Sequence, residues 1–210
     1  MITTQDNKKA LILFFILLIV PIGQVAIDIY LPSLPHISQE LNIATSATQW
    51  SLTIYLLSSG ISQFFYGPIS DSLGRKPILC FGLVIFFIGS LVTALAQGEI
   101  SLLLGRLLQG LGIGAGAVIA NSMVGDSFSG VRLAKVTSLS SFAYGISPII
   151  APFIGGLIQI HLGWRFNFYF LLVIALISLL LVIPLLPETL KKQSKQTLKI
   201  TTLKDNYLTI

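Results

Sequence analysis

The sequence has few charged residues for its length. Only 10% of its 210 residues are Asp, Glu, Lys or Arg, whereas soluble domains carry about 25%. Hydrophobic residues make up 54% of the chain. A chain with so little charge cannot cover a water-exposed surface, and a lipid environment removes that need. The composition therefore argues against a soluble domain and favours an integral membrane protein.

Cysteine and histidine are also scarce. The single cysteine, Cys80, lies in an apolar stretch and cannot form an internal disulfide, so we interpret it as a buried, inert thiol. His36 and His161 lie in or near predicted loops and show no metal-ligand spacing. No nucleophile–base pattern is recognisable. We therefore expect neither an enzyme nor a protein that uses a metal or another cofactor.

Six long runs without Asp, Glu, Lys or Arg dominate the sequence. A helix needs about 20 apolar residues to cross a ~30 Å hydrocarbon core, and the short alternating segments of a membrane β-barrel are absent. We predict an all-α membrane protein with six transmembrane helices in a domain of residues 10–186. The charge-free runs are 10–27, 41–70, 77–98, 107–125, 136–164 and 166–187.

The basic residues are distributed asymmetrically between the two sides. If the spans alternate in direction, every Lys and Arg except two lies on the side of the membrane that carries both termini. Arg165 lies on the opposite side, and Arg106 lies within span four. The positive-inside rule then places residues 1–9 and the basic tail 187–210 in the cytoplasm, with the spans in the cell inner membrane. We expect a polar cytoplasmic loop between spans four and five, up to Lys135. Attraction to anionic lipid explains the excess of basic residues, so we expect no nucleic-acid partner.

A weak internal repeat relates residues 67–76 to residues 156–165. Five of the ten positions match or nearly match, including Gly74 with Gly163. The first segment follows span two on the inner side, and the second follows span five on the outer side. Two three-helix units of opposite orientation produce this arrangement. We therefore predict that the six helices form two inverted three-helix repeats.

Two charged residues, Asp28 and Arg106, lie inside predicted spans. Each costs at least roughly 2.5–3.5 kcal/mol in mid-bilayer, so neither is expected there without a reason. Both lie about 10 Å below the outer surface at 1.5 Å per residue, which makes contact between them possible. One interpretation is a fixed ion pair that ties two helices together. The other, which we favour, is proton exchange at Asp28 with Arg106 tuning it or holding the helices.

Polar and aromatic side chains within the spans are candidates to line a substrate cavity. Gln24 precedes Asp28 by four residues and shares its side of span one. An equally good interpretation is that Gln24 and Asp28 satisfy each other's hydrogen bonds. The cavity candidates are Gln24, Tyr30, Asn121 and Tyr144.

Spans four and five are rich in glycine. In span four, residues 110–116 alternate glycine with apolar residues. No strand precedes them, so a dinucleotide-binding loop is excluded, and close approach of helices explains them better. Span five combines glycine and proline at helical spacing. Its prolines are consistent either with a kinked packing face or with a bend that moves.

Asp71 lies in a short predicted turn between spans two and three. Its carboxylate can cap the N-terminus of span three, or it can pair with Arg75. Either contact would tighten the turn. A role as a switch would require a change that breaks the contact.

Four segments in order resemble the motifs of the major facilitator superfamily. Residues 67–76 resemble motif A, residues 106–112 motif B, and residues 147–156 motif C of drug:proton antiporters. Residues 28–35 are similar to the first span of the bicyclomycin-resistance (Bcr/CflA) branch. Ser72 departs from motif A, and Ser147 and Ala151 replace two glycines of motif C. The motif residues are Gly67, Asp71, Gly74, Arg75 and Lys76 in motif A, Arg106, Gln109, Gly110 and Gly112 in motif B, and Pro148, Ala151, Pro152, Gly155 and Gly156 in motif C.

The resemblance implies a twelve-span protein of two six-helix halves that exports drugs in exchange for protons by alternating access. This chain corresponds to the N-terminal half. By the family pattern, Asp28 takes protons, Arg106 organises the network near it, and motif A latches the inner face against the other half. The implied partners are a small-molecule drug, protons, the lipid bilayer and a second six-helix half. A metabolite or amino-acid exporter of the same fold and a truncated, non-transporting fragment are the alternatives.

Overall fold

The computed structural model describes residues 4–190, and their regular structure is entirely helical. A 3₁₀ turn (Leu31–Ser33) and the short helix α2 (Leu34–Glu40) connect the first two long helices. The prediction of an all-α, six-helix fold is confirmed. From residue 191 onward, the predicted basic tail lies outside the described residues. The long helices are α1 (Thr4–Asp28), α3 (Thr45–Leu73), α4 (Arg75–Ala94), α5 (Glu99–Ser127), α6 (Gly130–Leu162) and α7 (Arg165–Leu185).

Within the described range, five of these long helices have both the length and the apolar composition to cross a membrane, and α3 is the exception. Polar residues lower the hydropathy of α3, and some of them are buried serines. Ser51, Ser58 and Ser62 each donate a hydrogen bond to the carbonyl three residues earlier, at 2.6, 3.1 and 2.9 Å. Because these hydroxyls are satisfied within their own helix, α3 can pack in the apolar bundle despite its polar residues.

Helix α5 forms the centre of the bundle, with α4 and α3 as its main neighbours and α1 beside it. Small residues permit this close packing. A Cβ atom at Gly112 would overlap the backbone of α4 at Phe86, and one at Gly110 would overlap the carbonyl of Tyr55 in α3. Glycines at these positions bring backbones close enough for dense contact, which is how helices associate in lipid.

Two apolar clusters stack along the helix axes. One is centred on Phe15, Ile16 and Leu83 near the start of α1, and the other on Tyr55, Phe86 and Phe168 farther along. We call the end of the bundle that carries the start of α1 and Gly74 the basic end, and the other the far end.

The connections between helices are shorter than the sequence suggested. The prediction of a polar loop up to Lys135 is wrong. Helix α5 continues to Ser127 and α6 begins at Gly130, so only two extended residues separate them. At the repeat positions, Gly74 has φ +112° and Gly163 has φ +92°. This left-handed region favours glycine, so both helix pairs turn at the same place in the repeated segment.

Candidate functional site

Arg106 is fully buried in the middle of the bundle, on α5. Its Nη1 donates to the carbonyl of Ala26 at 3.1 Å and to Oε1 of Gln109 at 2.7 Å. Gln109 is itself fixed, since its Nε2 donates to Oγ of Ser90 at 2.8 Å. Arg106 thereby links α1, α5 and α4 through hydrogen bonds.

Two tyrosine rings enclose the rest of the Arg106 guanidinium. Arg106 Cζ lies 4.4 Å from the ring centroid of Tyr30 and 4.2 Å from that of Tyr55. Cation–π contacts of this kind are worth about 2 kcal/mol when desolvated. Nε and Nη2 of Arg106 have no hydrogen-bond partner among the described residues. The cation is therefore held by aromatic faces while two of its donor groups stay available.

Asp28 ends α1 and is only 7% exposed. Gln24 Nε2 donates to its Oδ2 at 2.7 Å, as their spacing of four residues allows. No ion pair within 4.0 Å joins Asp28 to Arg106 in residues 4–190. The equal depth of the two charges has thus not produced a direct contact in this conformation.

Tyr55, which carries no local sequence signal, links Arg106 to the helix that carries Asp28. It is 1% exposed, and its hydroxyl donates to the carbonyl of Gly23 in α1 at 2.8 Å. Its ring lies against the guanidinium of Arg106, and the helix it reaches ends at Asp28. Tyr55 therefore fixes α3 to α1 and presents its ring to Arg106.

Two adjoining cavities open on one face of the bundle. The first, about 220 Å³, is lined by α1, α3, α5 and α6, with Tyr55 and Gln63 among its polar groups. The second, about 260 Å³, is lined by Asn121 and by hydroxyl groups of α6. Tyr144 lines both. The two linings contain tyrosine, serine, threonine and amide groups among apolar side chains, and no Asp, Glu, Lys or Arg.

The four predicted cavity residues have different environments. Asn121 and Tyr144 line the cavities. Gln24 binds Asp28 and belongs to neither lining. Tyr30 is fully buried, and its hydroxyl lies 3.0 Å from Oγ of Ser51. Gln24 and Tyr30 therefore support the charged site and do not contribute to either cavity wall.

Arg75 organises the residues of motif A at the basic end. Its Nη1 lies 2.6 Å from Oδ1 of Asp71 and 2.7 Å from Oγ of Ser70, and its Nε lies 3.1 Å from Oδ2 of Asp126. Asp126 belongs to α5, fifty-one residues along the chain. Arg75 thus joins the end of α3 to the end of α5. Of the two roles predicted for Asp71, a helix cap or an ion pair with Arg75, the structure shows the ion pair.

The N-terminus of α4 is capped by Glu188, which follows α7. The Glu188 carboxylate accepts hydrogen bonds from the backbone N–H groups of Arg75 and Lys76, at 3.0 and 3.2 Å. A Cβ atom at Gly74 would lie 2.7 Å from this carboxylate. A carboxylate at a helix N-terminus satisfies free N–H groups and complements the helix dipole. The cap therefore comes from a residue that is distant in sequence.

Motif C brings α6 against the end of α1. A Cβ atom at Gly155 would overlap the carbonyl of Ile29. Beside this contact, Nδ2 of the buried Asn167 donates to Oγ of Ser33 at 3.0 Å and to the carbonyl of Gly155 at 3.4 Å. Pro148 and Pro152 both lie inside an unbroken α6. Motif C thus packs tightly against the segment that begins at Asp28.

A second polar cluster ties together the connections at the far end. Glu40 accepts a hydrogen bond from Nε1 of the buried Trp164, at 2.8 Å, and forms an ion pair with Arg165. Nη2 of Arg165 also donates to the carbonyl of Ala96 at 2.9 Å, and its Cζ lies 4.3 Å from a Trp164 ring centroid. These contacts join α2, the α4–α5 turn and the start of α7.

Comparison with known proteins identifies a family with this architecture. The Major Facilitator Superfamily model matches residues 13–207. Multidrug resistance protein D of Escherichia coli is 34% identical over 200 residues, which are 95% of this chain and 51% of that protein. A bicyclomycin resistance protein homolog of Haemophilus influenzae is 31% identical over 182 residues, or 87% of this chain and 46% of that protein. The chain spans about half the length of these curated relatives.

Solved structures of low sequence identity have the same fold. The human organic anion transporter MFSD10 superposes with a TM-score of 0.70 at 20% identity, over 97% of this chain and 53% of that one. The proton:xylose symporter XylE superposes with a TM-score of 0.76 at 17% identity, over 88% of this chain and 46% of that one. The six helices therefore adopt the fold of the N-terminal half of these transporters.

Proposed function

Because this chain belongs to the Major Facilitator Superfamily, we propose that it forms the N-terminal six-helix unit of a proton-coupled drug exporter. The family consists of membrane transporters, which are not enzymes. Two of the relatives are named for resistance to multiple drugs or to bicyclomycin. Export of a drug-like small molecule in exchange for protons, by alternating access across the inner membrane, is the activity we assign to the complete transporter.

The observation that carries this proposal is the environment of Arg106. A fully buried guanidinium with two unpartnered donor groups is costly in a membrane protein, and such groups usually serve a function. Arg106 lies against Tyr55, which lines a cavity open to a small molecule. A purely structural arginine would be expected to have all its donors satisfied.

Asp28 is the residue we assign to proton exchange. Within residues 4–190, its side chain accepts a hydrogen bond from the neutral amide of Gln24 and forms no ion pair with a Lys or Arg. A proton that binds a carboxylate oxygen of Asp28 removes the negative charge near Arg106. Release of that proton restores the attraction between Asp28 and the free N–H groups of Arg106. Movement of α1 relative to α5 is thereby linked to protonation.

The cavity walls favour a drug over an amino acid as the substrate. A zwitterion needs charged or strongly polar partners for both its ends, and the two cavity linings contain hydroxyl, amide and apolar groups instead. Uncharged groups such as Asn121 and Tyr144 suit a substrate with a few hydrogen-bonding groups on an apolar body. Metabolite export by the same fold is the second candidate.

The motif A cluster supports a role as a latch at the cytoplasmic side. The positive-inside rule assigns the basic end, with Arg75 and Lys76, to the cytoplasm. Side chains of Asp71 and Glu188 remain exposed there. They are available to a second six-helix unit, which would close the transporter when it contacts them.

The test measures drug-driven proton movement in liposomes that contain this chain together with a second six-helix unit. Addition of drug should release protons, and Asp28→Asn should abolish the release while leaving drug binding in place. Arg106→Ala should also disable exchange. Normal proton exchange in Asp28→Asn would rule out the assigned proton site.

Two further arms separate the alternatives. A panel of drugs and amino acids, scored by protection against thermal unfolding, distinguishes a drug exporter from a metabolite exporter. Liposomes that contain the 210-residue chain alone show whether six helices suffice. We expect no exchange from the chain alone, and activity there would show that a second unit is not needed.

A further inference from the structure

A groove with a basic rim and an apolar floor follows the start of α1, between the end of α5 and the start of α6. Four cations form its rim, Lys8 and Lys9 from α1 and Arg132 and Lys135 from α6. Two cavities, of about 390 and about 260 Å³, make up its volume. Both are lined by Lys9 and by the ring of Phe128. We call this feature the basic groove.

The basic groove lies at the depth of lipid headgroups. Lys8 and Lys9 immediately precede the apolar run of α1, and Lys135 immediately precedes that of α6. Each run starts where the hydrocarbon core starts, so both cation pairs lie at the membrane–water boundary. The phosphates of the bilayer surface occupy the same level.

The charge in the groove remains positive after its acids are counted. Asp126 lines the larger cavity, but its carboxylate is paired with Arg75 at 3.1 Å. Asp6 lies 3.8 Å from Arg132 and compensates one of the four rim cations. An anion that enters the groove therefore meets an excess of basic residues.

The floor of the groove is apolar, which separates it from a site for a free ion. Leu13, Phe128 and Val136 line the smaller cavity next to its basic residues. Val136 is 6% exposed and belongs to the core cluster that includes Ile12 and Phe15. A ligand that suits both parts of the groove has an anionic head and an apolar chain.

We propose that the basic groove binds one anionic phospholipid from the leaflet at the basic end, with its phosphate among the four cations and its acyl chain along the Phe128 side. Basic pockets between transmembrane helices are suited to anionic headgroups. Such a lipid bridges α1 and α6, whose starts are joined here by the Asp6–Arg132 ion pair. It would therefore hold these helix ends together.

Native mass spectrometry of the purified chain, and of the chain with a second six-helix unit, tests the proposal. Phosphatidylglycerol and phosphatidylcholine with identical acyl chains are the probes. We expect one phosphatidylglycerol retained per chain and no matching phosphatidylcholine adduct. Lys8→Gln with Lys9→Gln should weaken retention about 30-fold, as should Arg132→Gln with Lys135→Gln.

The control is the pair Lys8→Arg with Lys9→Arg, which keeps the charge and should retain the lipid. A second measurement, thermal unfolding in each lipid, should give a higher Tm in phosphatidylglycerol than in phosphatidylcholine for the unmodified chain and the Arg variant, and equal Tm values for the Gln variants. Equal retention of both lipids, or Gln variants that bind as well as the unmodified chain, would overturn the proposal. Equal stabilisation by inorganic phosphate would overturn the lipid assignment, and so would loss of the lipid when the second unit binds.

Discussion

The guanidinium of Arg106 stacks on the ring of Tyr55, with Cζ 4.2 Å from the ring centroid. Arg106 belongs to α5 and Tyr55 to α3, and the hydroxyl of Tyr55 reaches back to α1. One aromatic side chain therefore touches the buried cation, the wall of the cavity and the helix that carries Asp28. A displacement of any one of these partners would therefore change the contacts that Tyr55 makes with the other two.

Substitution of Tyr55 should separate the roles of its ring and its hydroxyl. Tyr55→Phe retains the ring over Arg106 and loses one hydrogen bond, worth about 1 kcal/mol, so exchange should persist with a slightly lower Tm. Tyr55→Leu removes the cation–π contact, worth about 2 kcal/mol when buried, and should uncouple drug movement from proton release. The measurement is the number of protons released per drug exported. Equal coupling in the Leu variant and the unmodified chain would contradict this role.

Gly155 should tolerate no side chain, whereas Gly145 of the same helix should. Gly155→Ala pushes a methyl group into the carbonyl of Ile29, and overpacking of this kind costs about 1–3 kcal/mol. Gly145→Ala meets nothing within 4 Å and should leave the Tm equal or raise it, because Ala favours helix. Thermal unfolding of both variants in one detergent is the test. Matching Tm values would show that the α6–α1 contact is not tight.

Loss of the Glu188 carboxylate should loosen the start of α4. Glu188→Ala removes the acceptor for the N–H groups of Arg75 and Lys76, and loss of such a cap costs about 1 kcal/mol. Glu188→Gln keeps one acceptor oxygen and should have a smaller effect. Hydrogen exchange at the amides of these two residues reports the change. Unchanged exchange in the Ala variant would mean that the cap contributes nothing.

The ion pair at the far end should be measurable by a double-mutant cycle. Glu40→Gln and Arg165→Gln each remove one partner, and the two effects on the free energy of unfolding should not add. Partly exposed pairs contribute about 0.2–1 kcal/mol, so the coupling should lie at the upper end of this range because Trp164 also donates to Glu40. Additive effects would show that the two charges act independently.

The sequence predicted the features that depend on local spacing. Charge-free runs predicted the six helices, and the four-residue spacing of Gln24 and Asp28 placed them on one side of α1, where they are hydrogen-bonded. The prediction of a loop up to Lys135 is wrong because polar residues at the end of a membrane helix need not leave the helix. They continue as helix here, since an interfacial helix end has water on one side.

Sequence spacing does not predict contacts between residues that are far apart in the chain. The depth of Asp28 and Arg106 was derived from helix rise, but depth does not fix the rotation of a helix. Rotation directs Arg106 towards Tyr30 and Tyr55, and no local signal identifies those partners. Glu188 was missed for the same reason, because its hydrogen bonds reach back 113 residues to Arg75.

Gly74 is the only residue between the helical bounds of α3 and α4. A joint of one residue leaves the chain no slack. Deleting Gly74 would force the turn to use a residue of α3 or α4, and drawing α4 back by one residue would rotate its side chains by about 100° about the helix axis. A deletion at this corner would therefore disturb the packing of α4 against α5 at positions far from the turn.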